Sequence, residues 1–79
     1  MNMTTTARNN RYKIQYMNAV VRKFAIRKAL PLIEAFHYLL EHRGLALLDE
    51  CYEAIHLQSI DDAVDDLTVA CQRNGGTLK

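Results

Sequence analysis

The chain has 79 residues, of which 49% are hydrophobic and 24% are charged, and its formal net charge is +1. This composition is typical of one small globular domain and excludes collagen-like, low-complexity and mostly disordered chains. A domain of this size buries only about 60–65% of the surface that its unfolded chain exposes, so a large enzyme with a deep pocket is disfavoured.

The first helix is predicted from Arg11 to about Ala29, because the proline that follows ends it. Residues 1–9 before it are polar and carry no hydrophobic pattern, and we expect them to be a flexible leader. Asn9 or Asn10 is a candidate N-cap, since an asparagine side chain can accept the free amide hydrogens of a helix start. The predicted buried face of this helix is Ile14, Met17, Val21, Phe24 and Ala25.

A second helix is predicted to begin near Pro31, because a proline suits the first helical turn, where its missing N–H is not needed. Gly44 is placed to end this helix as a left-handed C-cap. The predicted buried face has four residues with two apolar residues beside them: Ile33, Phe36, His37 and Leu40, flanked by Leu32 and Leu39.

Two further helices follow. The third is predicted from about Ala46 to His56 or Leu57, and Ser59 should cap the fourth, since Asp62 follows it in an acidic variant of the capping box. The predicted buried faces are Leu48, Cys51, Tyr52 and Ile55 for the third helix, with Leu47 at its edge, and Ile60, Ala63, Val64, Leu67, Ala70 and Cys71 for the fourth.

The fourth helix should end by residue 74, and residues 75–79 are expected to form a flexible tail. The chain has no segment with the alternating pattern of a strand. We therefore predict an all-α fold, a compact bundle of four short helices, in which residues 10–74 form a single helical domain.

The two cysteines, Cys51 and Cys71, are too few for the disulfide framework of small secreted domains. Both lie on predicted core faces, so we expect buried, reduced thiols. The N-terminal segment lacks the apolar stretch of a signal peptide, and no window approaches the roughly 20 apolar residues of a membrane span. These features predict a cytoplasmic protein.

Charge is divided unevenly along the chain, with seven basic and no acidic residues through Ile33, then nine acidic and three basic residues. The two halves could neutralise each other within the fold or across a symmetric dimer, which we favour. Alternatively, the first helix could bind nucleic acid. That alternative would use Arg11, Lys13, Arg22, Lys23, Arg27 and Lys28, which do not form a single face.

Four aspartates between residues 61 and 66 form pairs at i, i+4 spacing that could bind Mg²⁺ or Ca²⁺. Carboxylates in the first turn are also favoured by the helix dipole, and no further ligands are spaced to complete a site. We interpret this surface as solvated, with contact to a basic partner surface as the alternative.

The three histidines lack the spacing of a zinc site. Ser59, His56 and Asp61 are too close in sequence for a catalytic triad, and Ser59 is better explained as a helix cap. His56 lies one turn after Tyr52 and could donate a hydrogen bond into the next loop, fixing the turn at Leu57. We expect no enzyme activity, no metal and no cofactor.

Several apolar side chains project away from the predicted core faces. They are Tyr12, Tyr16, Ile26, Tyr38 and Val69. Single exposed hydrophobic residues are ordinary, but five in a chain of this size suggest that another chain covers some of them. This pattern favours a homodimer or an obligate protein partner.

The run from Glu50 to Ser59, followed by Ile60 to Leu67 with Asp65 and Asp66, resembles a small bacterial family of unknown function. Members of that family show a tyrosine, then a segment similar to Leu-His-Thr-Gln, then an acidic helix ending in Asp-Asp-Ile or Asp-Asp-Leu. The likeness covers roughly residues 13–70.

Two positions depart from the family: Leu57 stands where threonine is frequent, and Pro31 replaces a Ser-Gly type of helix start. The resemblance implies a gene beside those of ADP-ribosyltransferase-like proteins, as in toxin–antitoxin pairs. It therefore implies a non-catalytic interaction module, an antitoxin-like partner that binds a neighbouring enzyme. On this interpretation the partner-binding residues are Tyr52, His56, Gln58, Asp62, Asp65 and Asp66.

Overall fold

A computed structural model describes the backbone of residues 3–76 and the side chains of residues 11–76. Five helices make up the regular structure of this part of the chain. They are α1 (Met3–Lys28), α2 (Leu32–Glu41), α3 (Gly44–Glu50), α4 (Tyr52–Ile55) and α5 (Ile60–Arg73). Four of them have seven or more residues, so the predicted all-α bundle is confirmed, with α4 as an additional short helix.

Helix α1 begins earlier than the sequence suggests. It starts at Met3, so Asn9 and Asn10 lie inside the helix and the N-cap prediction is wrong. Residues 3–9 of the predicted leader continue the helix, whereas residues 1 and 2 lie outside the described part. Among residues 11–28 of α1, whose side chains the structure describes, the core residues begin at Tyr16.

The core face of α1 differs from the prediction at its start. Ile14 is exposed, which contradicts the prediction, and Met17 is half-buried. Val21, Phe24 and Ala25 are buried as predicted, and Val20 joins them.

A left-handed residue, Ala29, ends α1 with a φ of 55°. The amide of Leu30 donates to the carbonyl of Ala25 (2.9 Å), and the amide of Ala29 donates to that of Ile26 (3.2 Å). These two bonds form a Schellman motif, which satisfies free carbonyls at the helix end. Pro31 follows and directly precedes α2, one position before its predicted place.

The inward face of α2 consists of Ala35 and Leu39, which are fully buried, with Tyr38 half-buried beside them. The predicted face is wrong, because α1 and α3 pack on this other side of the helix. The residues that are exposed instead are Ile33, Phe36, His37 and Leu40, together with the flanking Leu32.

The junction between α2 and α3 corrects another prediction. Arg43, with a φ of 67°, is the left-handed residue, whereas Gly44 is the buried first residue of α3. A Cβ atom on Gly44 would lie 2.7 Å from Leu39 Cδ2 and 3.0 Å from Cys71 Sγ. Glycine is therefore required here for close packing and not as a left-handed C-cap.

The predicted third helix is divided into α3 and α4 at Cys51, whose φ and ψ are −107° and 17°. Its predicted face nevertheless points inward: Leu48 and Ile55 are buried, and Leu47, Cys51 and Tyr52 are half-buried. The break therefore does not expose the face.

Helix α5 agrees closely with the sequence. Ser59 Oγ accepts a hydrogen bond from the amide of Asp62 (3.1 Å), so the predicted N-cap is confirmed. Ala63, Val64, Leu67 and Cys71 are buried as predicted, and Ala70 is half-buried. The prediction that Ile60 is buried is wrong, because this first residue of α5 lines a depression at the surface.

The end of α5 is attached to α2. Gly75 has a φ of 83°, and the amide of Gly76 donates to the carbonyl of Cys71 (2.8 Å), as in a Schellman motif. The Tyr38 hydroxyl donates to the carbonyl of Gly76 (2.6 Å), and Gly76 is buried. Gly76 is therefore anchored, and residues 77–79 of the predicted tail lie outside the described part.

Two of the tyrosines expected to need another chain are covered by this one. Tyr16 and Tyr38 both pack against the core, and the Tyr16 hydroxyl donates to the carbonyl of Ile55 (3.1 Å). Tyr12, Ile26 and Val69 are exposed, as their positions predicted. Among residues 3–76, no helix is both long enough and apolar enough to cross a bilayer.

Candidate functional site

The acidic side of α5 faces solvent, and part of it is neutralised by α1. Arg27 lies between two carboxylates, with Nη2 3.0 Å from Asp61 Oδ1 and Nη1 2.5 Å from Asp65 Oδ1. Lys23 Nζ is 3.7 Å from the same oxygen of Asp61. These exposed ion pairs contribute little to stability, but they neutralise Asp61 and Asp65 with basic residues of α1.

Asp62 and Asp66 are the remaining two carboxylates of this side, and neither forms an ion pair with a side chain among residues 11–76. Asp66 lies near Tyr16, where its charge helps to raise the pKa of the Tyr16 hydroxyl. Gln58 is exposed in the turn before α5. Three of the predicted partner-binding residues are therefore free to contact another molecule.

Tyr52 and His56 form a stacked pair, with ring centroids 4.5 Å apart. Tyr16 meets the Tyr52 ring edge-on at 5.6 Å. Burial is the main cause of the raised pKa of Tyr16, and the nearby Tyr52 hydroxyl adds to it. His56 Nδ1 lies 2.6 Å from the carbonyl of Tyr52, so its hydrogen bond runs back into α4 and not into the next loop as predicted.

The basic residues predicted for the nucleic-acid alternative also divide into those paired with carboxylates and those without such a partner. Lys13 forms an ion pair with Asp49 (2.5 Å), and Lys23 and Arg27 bind the aspartates of α5. Lys28 Nζ lies over the Phe24 ring at 5.8 Å. The exposed Arg11 and Arg22 form no ion pair with the described side chains. Neutralisation within the fold accounts for half of this set.

The cysteines and two of the three histidines, His42 and His56, occupy structural positions. Both cysteines are free, and burial raises the pKa of the Cys71 thiol, partly offset by a hydrogen bond from the Gly44 amide. Cys51 is half-buried, not fully buried as expected. His42 Nδ1 lies 3.1 Å from the carbonyl of Asn74, and His37 is exposed. No group of three potential metal ligands occurs within the described part of the chain.

Most of the residues that the sequence prediction placed in the core face of α2 form an exposed apolar surface, together with Ile26 of α1, which was predicted to be exposed. We call it the α2 apolar face: Ile26, Leu32, Ile33, Phe36 and Leu40. Ile26 is 75% exposed, Ile33 63% and Leu40 60%. The signal that could have found it is the composition of α2, in which seven of ten residues are apolar. Such a helix has more apolar surface than one packing side can cover.

Two shallow depressions of about 420 Å³ each lie on either side of Ile26. One extends toward α5, where Ile60 and Asp61 line it, and the other toward α2, where Leu30 and Leu32 line it. Arg22 and Ile26 line both. The outer side of α1 thus meets the start of α2 at Ile26 and Leu32, whereas Ile33, Phe36 and Leu40 line neither depression.

These features define a small all-α protein whose side chains available for binding lie on open surfaces. The chain belongs to DUF3791, a family of proteins of unknown function, whose model matches residues 15–74. The match begins where α1 enters the core and includes α2 through α5. The resemblance to a small uncharacterised family is confirmed at this level. No curated protein and no solved structure matches the chain.

Proposed function

We propose that this protein is a non-catalytic protein-interaction module that binds its partner through the α2 apolar face. The observation that carries the proposal is the exposure of Ile33, Phe36 and Leu40, which lie at helical spacing on one side of α2. Contiguous apolar surface on a small domain is typical of a binding site for another protein. The same spacing is typical of helices that present an apolar side to a partner.

The side chains that could act as nucleophile or base, namely Ser59, His56 and the Cys71 thiol, support a binding role because each is hydrogen-bonded or buried within the fold. Ser59 caps α5, and His56 donates to the carbonyl of Tyr52. Burial keeps the Cys71 thiol protonated near neutral pH, and a protonated thiol is a poor nucleophile.

A protein partner is also better supported than nucleic acid. Lys13, Lys23 and Arg27 are paired with carboxylates of the same chain, so fewer cations are available to neutralise phosphates. The acidic side of α5 adjoins these residues and would repel a phosphate backbone.

The resemblance implies that the partner is a neighbouring enzyme similar to ADP-ribosyltransferases. The proposal includes this antitoxin-like role. The residues that the resemblance implies as partner-binding, from Tyr52 to Asp66, are the alternative contact surface for that partner. Self-association as a homodimer is the competing use of the α2 apolar face.

The test is a tagged pull-down from the native host, with nuclease present and mass spectrometry as the readout. We compare the wild-type chain with the double variant Ile33→Ser, Leu40→Ser. Both positions are exposed, so the variant should remain folded. The wild-type chain should recover a stoichiometric protein partner, and the double variant should recover at least about tenfold less, as expected when apolar anchors are removed.

Two control variants locate the surface. Val69→Ser removes an exposed apolar side chain from α5 and should leave recovery unchanged. Asp66→Lys changes the acidic surface without breaking an ion pair of the described side chains. Loss of the partner with Asp66→Lys, but not with the α2 variant, would move the binding site to α5. Recovery of nuclease-sensitive material alone would contradict a protein partner.

A further inference from the structure

The end of α5 carries the one Asn-Gly pair of the sequence, Asn74 and Gly75. Asparagine is a thermally labile residue, because the backbone nitrogen of the next residue can attack its side-chain amide. Glycine in that next position hinders the attack least, since it has no Cβ atom. Gly75 is exposed, and a Cβ atom built on it would meet no atom within 4 Å. The sequence and this open surroundings make the pair a candidate site of deamidation.

The reaction consumes only water. The backbone nitrogen of Gly75 loses its proton and forms a bond to Asn74 Cγ, while the side-chain nitrogen takes up a proton and leaves as ammonia. The product of this step is a succinimide ring. Water then opens the ring at either of its carbonyl carbons. Cleavage at Cγ gives aspartate, whereas cleavage at the backbone carbonyl carbon gives isoaspartate, in which the main chain runs through Cβ and Cγ.

The folded chain engages both reacting groups in hydrogen bonds. Asn74 Nδ2 donates to the carbonyl of Ala70 (2.8 Å), which holds the side chain back along α5. The amide of Gly75 donates to the carbonyl of Gln72 (3.3 Å), which is long for such a bond. Ring closure breaks both bonds, so it requires the end of α5 to open.

Two aromatic side chains, one in α2 and one directly after it, keep this end closed. The Tyr38 hydroxyl donates to the carbonyl of Gly76 (2.6 Å), and His42 Nδ1 lies 3.1 Å from the carbonyl of Asn74. Gly76 is enclosed so closely that an added Cβ atom would lie 2.8 Å from both His42 Cγ and the Tyr38 hydroxyl. These contacts fix the backbone on both sides of Gly75.

We propose that Asn74 is a site of spontaneous deamidation, and that the contacts of Tyr38 and His42 with the end of α5 set its rate. Helix ends open locally at a much lower free energy than the whole domain, so local opening is the route to the reaction. The site is separate from the α2 apolar face, because Tyr38 packs on the inward side of α2. It therefore does not depend on the proposed function.

The isoaspartate product does not fit the closed end. It lengthens the main chain by one methylene group directly before Gly75, and the enclosed Gly76 has no room to shift. The new carboxylate also lies at the C-terminal end of α5, where the helix dipole disfavours a negative charge. Formation of isoaspartate therefore releases Gly76 from Tyr38, whereas aspartate leaves the length of the main chain unchanged.

The first experiment compares deamidation of the purified full-length chain in its folded state and in guanidinium chloride. Both samples are incubated in the same mildly alkaline buffer, and mass spectrometry of proteolytic fragments follows each asparagine over time. Asn74 should react at least about tenfold faster in the unfolded chain, because no opening step is then required. Asn18, inside α1 and followed by alanine, is the internal control and should react more slowly than Asn74 in both samples.

Two tyrosine variants separate local opening from global unfolding. Tyr38→Phe removes the hydrogen bond to Gly76 and should accelerate deamidation of the folded chain about two- to tenfold. Tyr16→Phe is the matched control, because it removes a similar bond, to the carbonyl of Ile55, at a different helix. It should leave the rate at Asn74 unchanged.

The effect of the product is measured by hydrogen exchange at the amide of Gly76, which donates to the carbonyl of Cys71 (2.8 Å). This amide should lose its protection in the isoaspartate form and keep it in the variant Asn74→Asp. Four results would overturn the proposal: equal rates in the folded and unfolded chains, slower loss of Asn74 than of Asn18, equal acceleration by the two tyrosine variants, or a protected Gly76 amide in the isoaspartate form.

Discussion

Helices α2 and α5 both carry a clear apolar face in their sequences, but only α5 buries it against this chain. In α5 the predicted residues Val64 and Leu67 are fully buried. In α2 the predicted residues Ile33 and Leu40 are mostly exposed, and Leu39 is buried in their place. An amphipathic pattern therefore predicts a covered face but does not identify the chain that covers it.

The difference has a physical cause in composition. The side of α5 opposite its apolar face carries aspartates, so only one orientation avoids burying charge. Helix α2 is apolar on most of its circumference, and several orientations bury hydrophobic area. Close packing selects among them, because the small Ala35 lies against its neighbours and Leu39 lies directly over Gly44.

The largest effects should come from leucine truncations that compare neighbouring positions. Leu39→Ala removes a fully buried side chain and should lower the free energy of unfolding by about 2–5 kcal/mol. Leu40→Ala, one residue later, should change it by less than about 0.5 kcal/mol. On α5, Leu67→Ala and Val69→Ala should repeat this contrast. Urea unfolding measures all four, and equal losses for Leu39→Ala and Leu40→Ala would refute the assigned orientation of α2.

The contact between the two regions can be tested at Gly44. The variant Gly44→Ala places a methyl group against Leu39 of α2 and Cys71 of α5. Overpacking of this kind should destabilise the protein by about 1–3 kcal/mol in urea unfolding. A stabilising effect would show that position 44 has room for a methyl group. It would also show that α2 and α5 are farther apart than the structure places them.

Tyr38 connects α2 to the end of α5, and Tyr16 connects α1 to α4. Removing either hydroxyl, in Tyr38→Phe or Tyr16→Phe, should lower stability by about 0.5–1.5 kcal/mol, because a hydrogen bond to a backbone carbonyl is lost. Unfolding in urea at neutral pH measures this loss. No loss in either variant would contradict the assigned bonds.

These tyrosines also give a pH dependence. Burial raises the pKa of both hydroxyls above the ordinary value of 10.0. Their contribution to stability is therefore complete below pH 10.0 and is lost as pH rises through the raised pKa, since the unfolded chain ionises first. Between about pH 9 and about pH 11, the wild type should lose more stability than Tyr16→Phe, Tyr38→Phe. The buried Cys71 thiol acts in the same direction but is present in both proteins. Equal slopes would refute the burial of the hydroxyls.

The smallest effects should come from the left-handed residues that follow α1 and α5. Ala29 and Gly75 occupy the same position of a Schellman motif, with φ values of 55° and 83°. Ala29→Gly should stabilise the chain by about 0.5 kcal/mol, because relief of a strained backbone exceeds the added entropy of the unfolded state. Gly75→Ala, where an added Cβ meets no atom within 4 Å, should destabilise it by a similar amount. Thermal unfolding gives both values, and changes of the same sign would contradict the shared motif.

The sequence alone predicts the parts of this fold that local chemistry determines. The Ser59 cap and the buried face of α5 follow from side chains a few positions apart. The break at Cys51, the left-handed Arg43 and the role of Gly44 depend on tertiary packing, which spacing does not reveal.

The candidate site divides in the same way. The stacked Tyr52 and His56 are one turn apart, so their contact is predictable from helical spacing. The α2 apolar face is not predictable from helical spacing, because its residues have the same pattern as a buried face. The pairing of Arg27 with Asp61 and Asp65 joins positions far apart in the chain, and only the fold brings them together.

The most direct test of the central claim is site-specific photo-cross-linking in the native host. A photo-reactive phenylalanine analogue replaces either Phe36 on the α2 apolar face or Asp66 on α5, and mass spectrometry identifies the cross-linked peptides. The account predicts that position 36 cross-links to a different polypeptide and that position 66 does not. Cross-links to a partner from position 66 alone, or from position 36 only to a second copy of this chain, would contradict it.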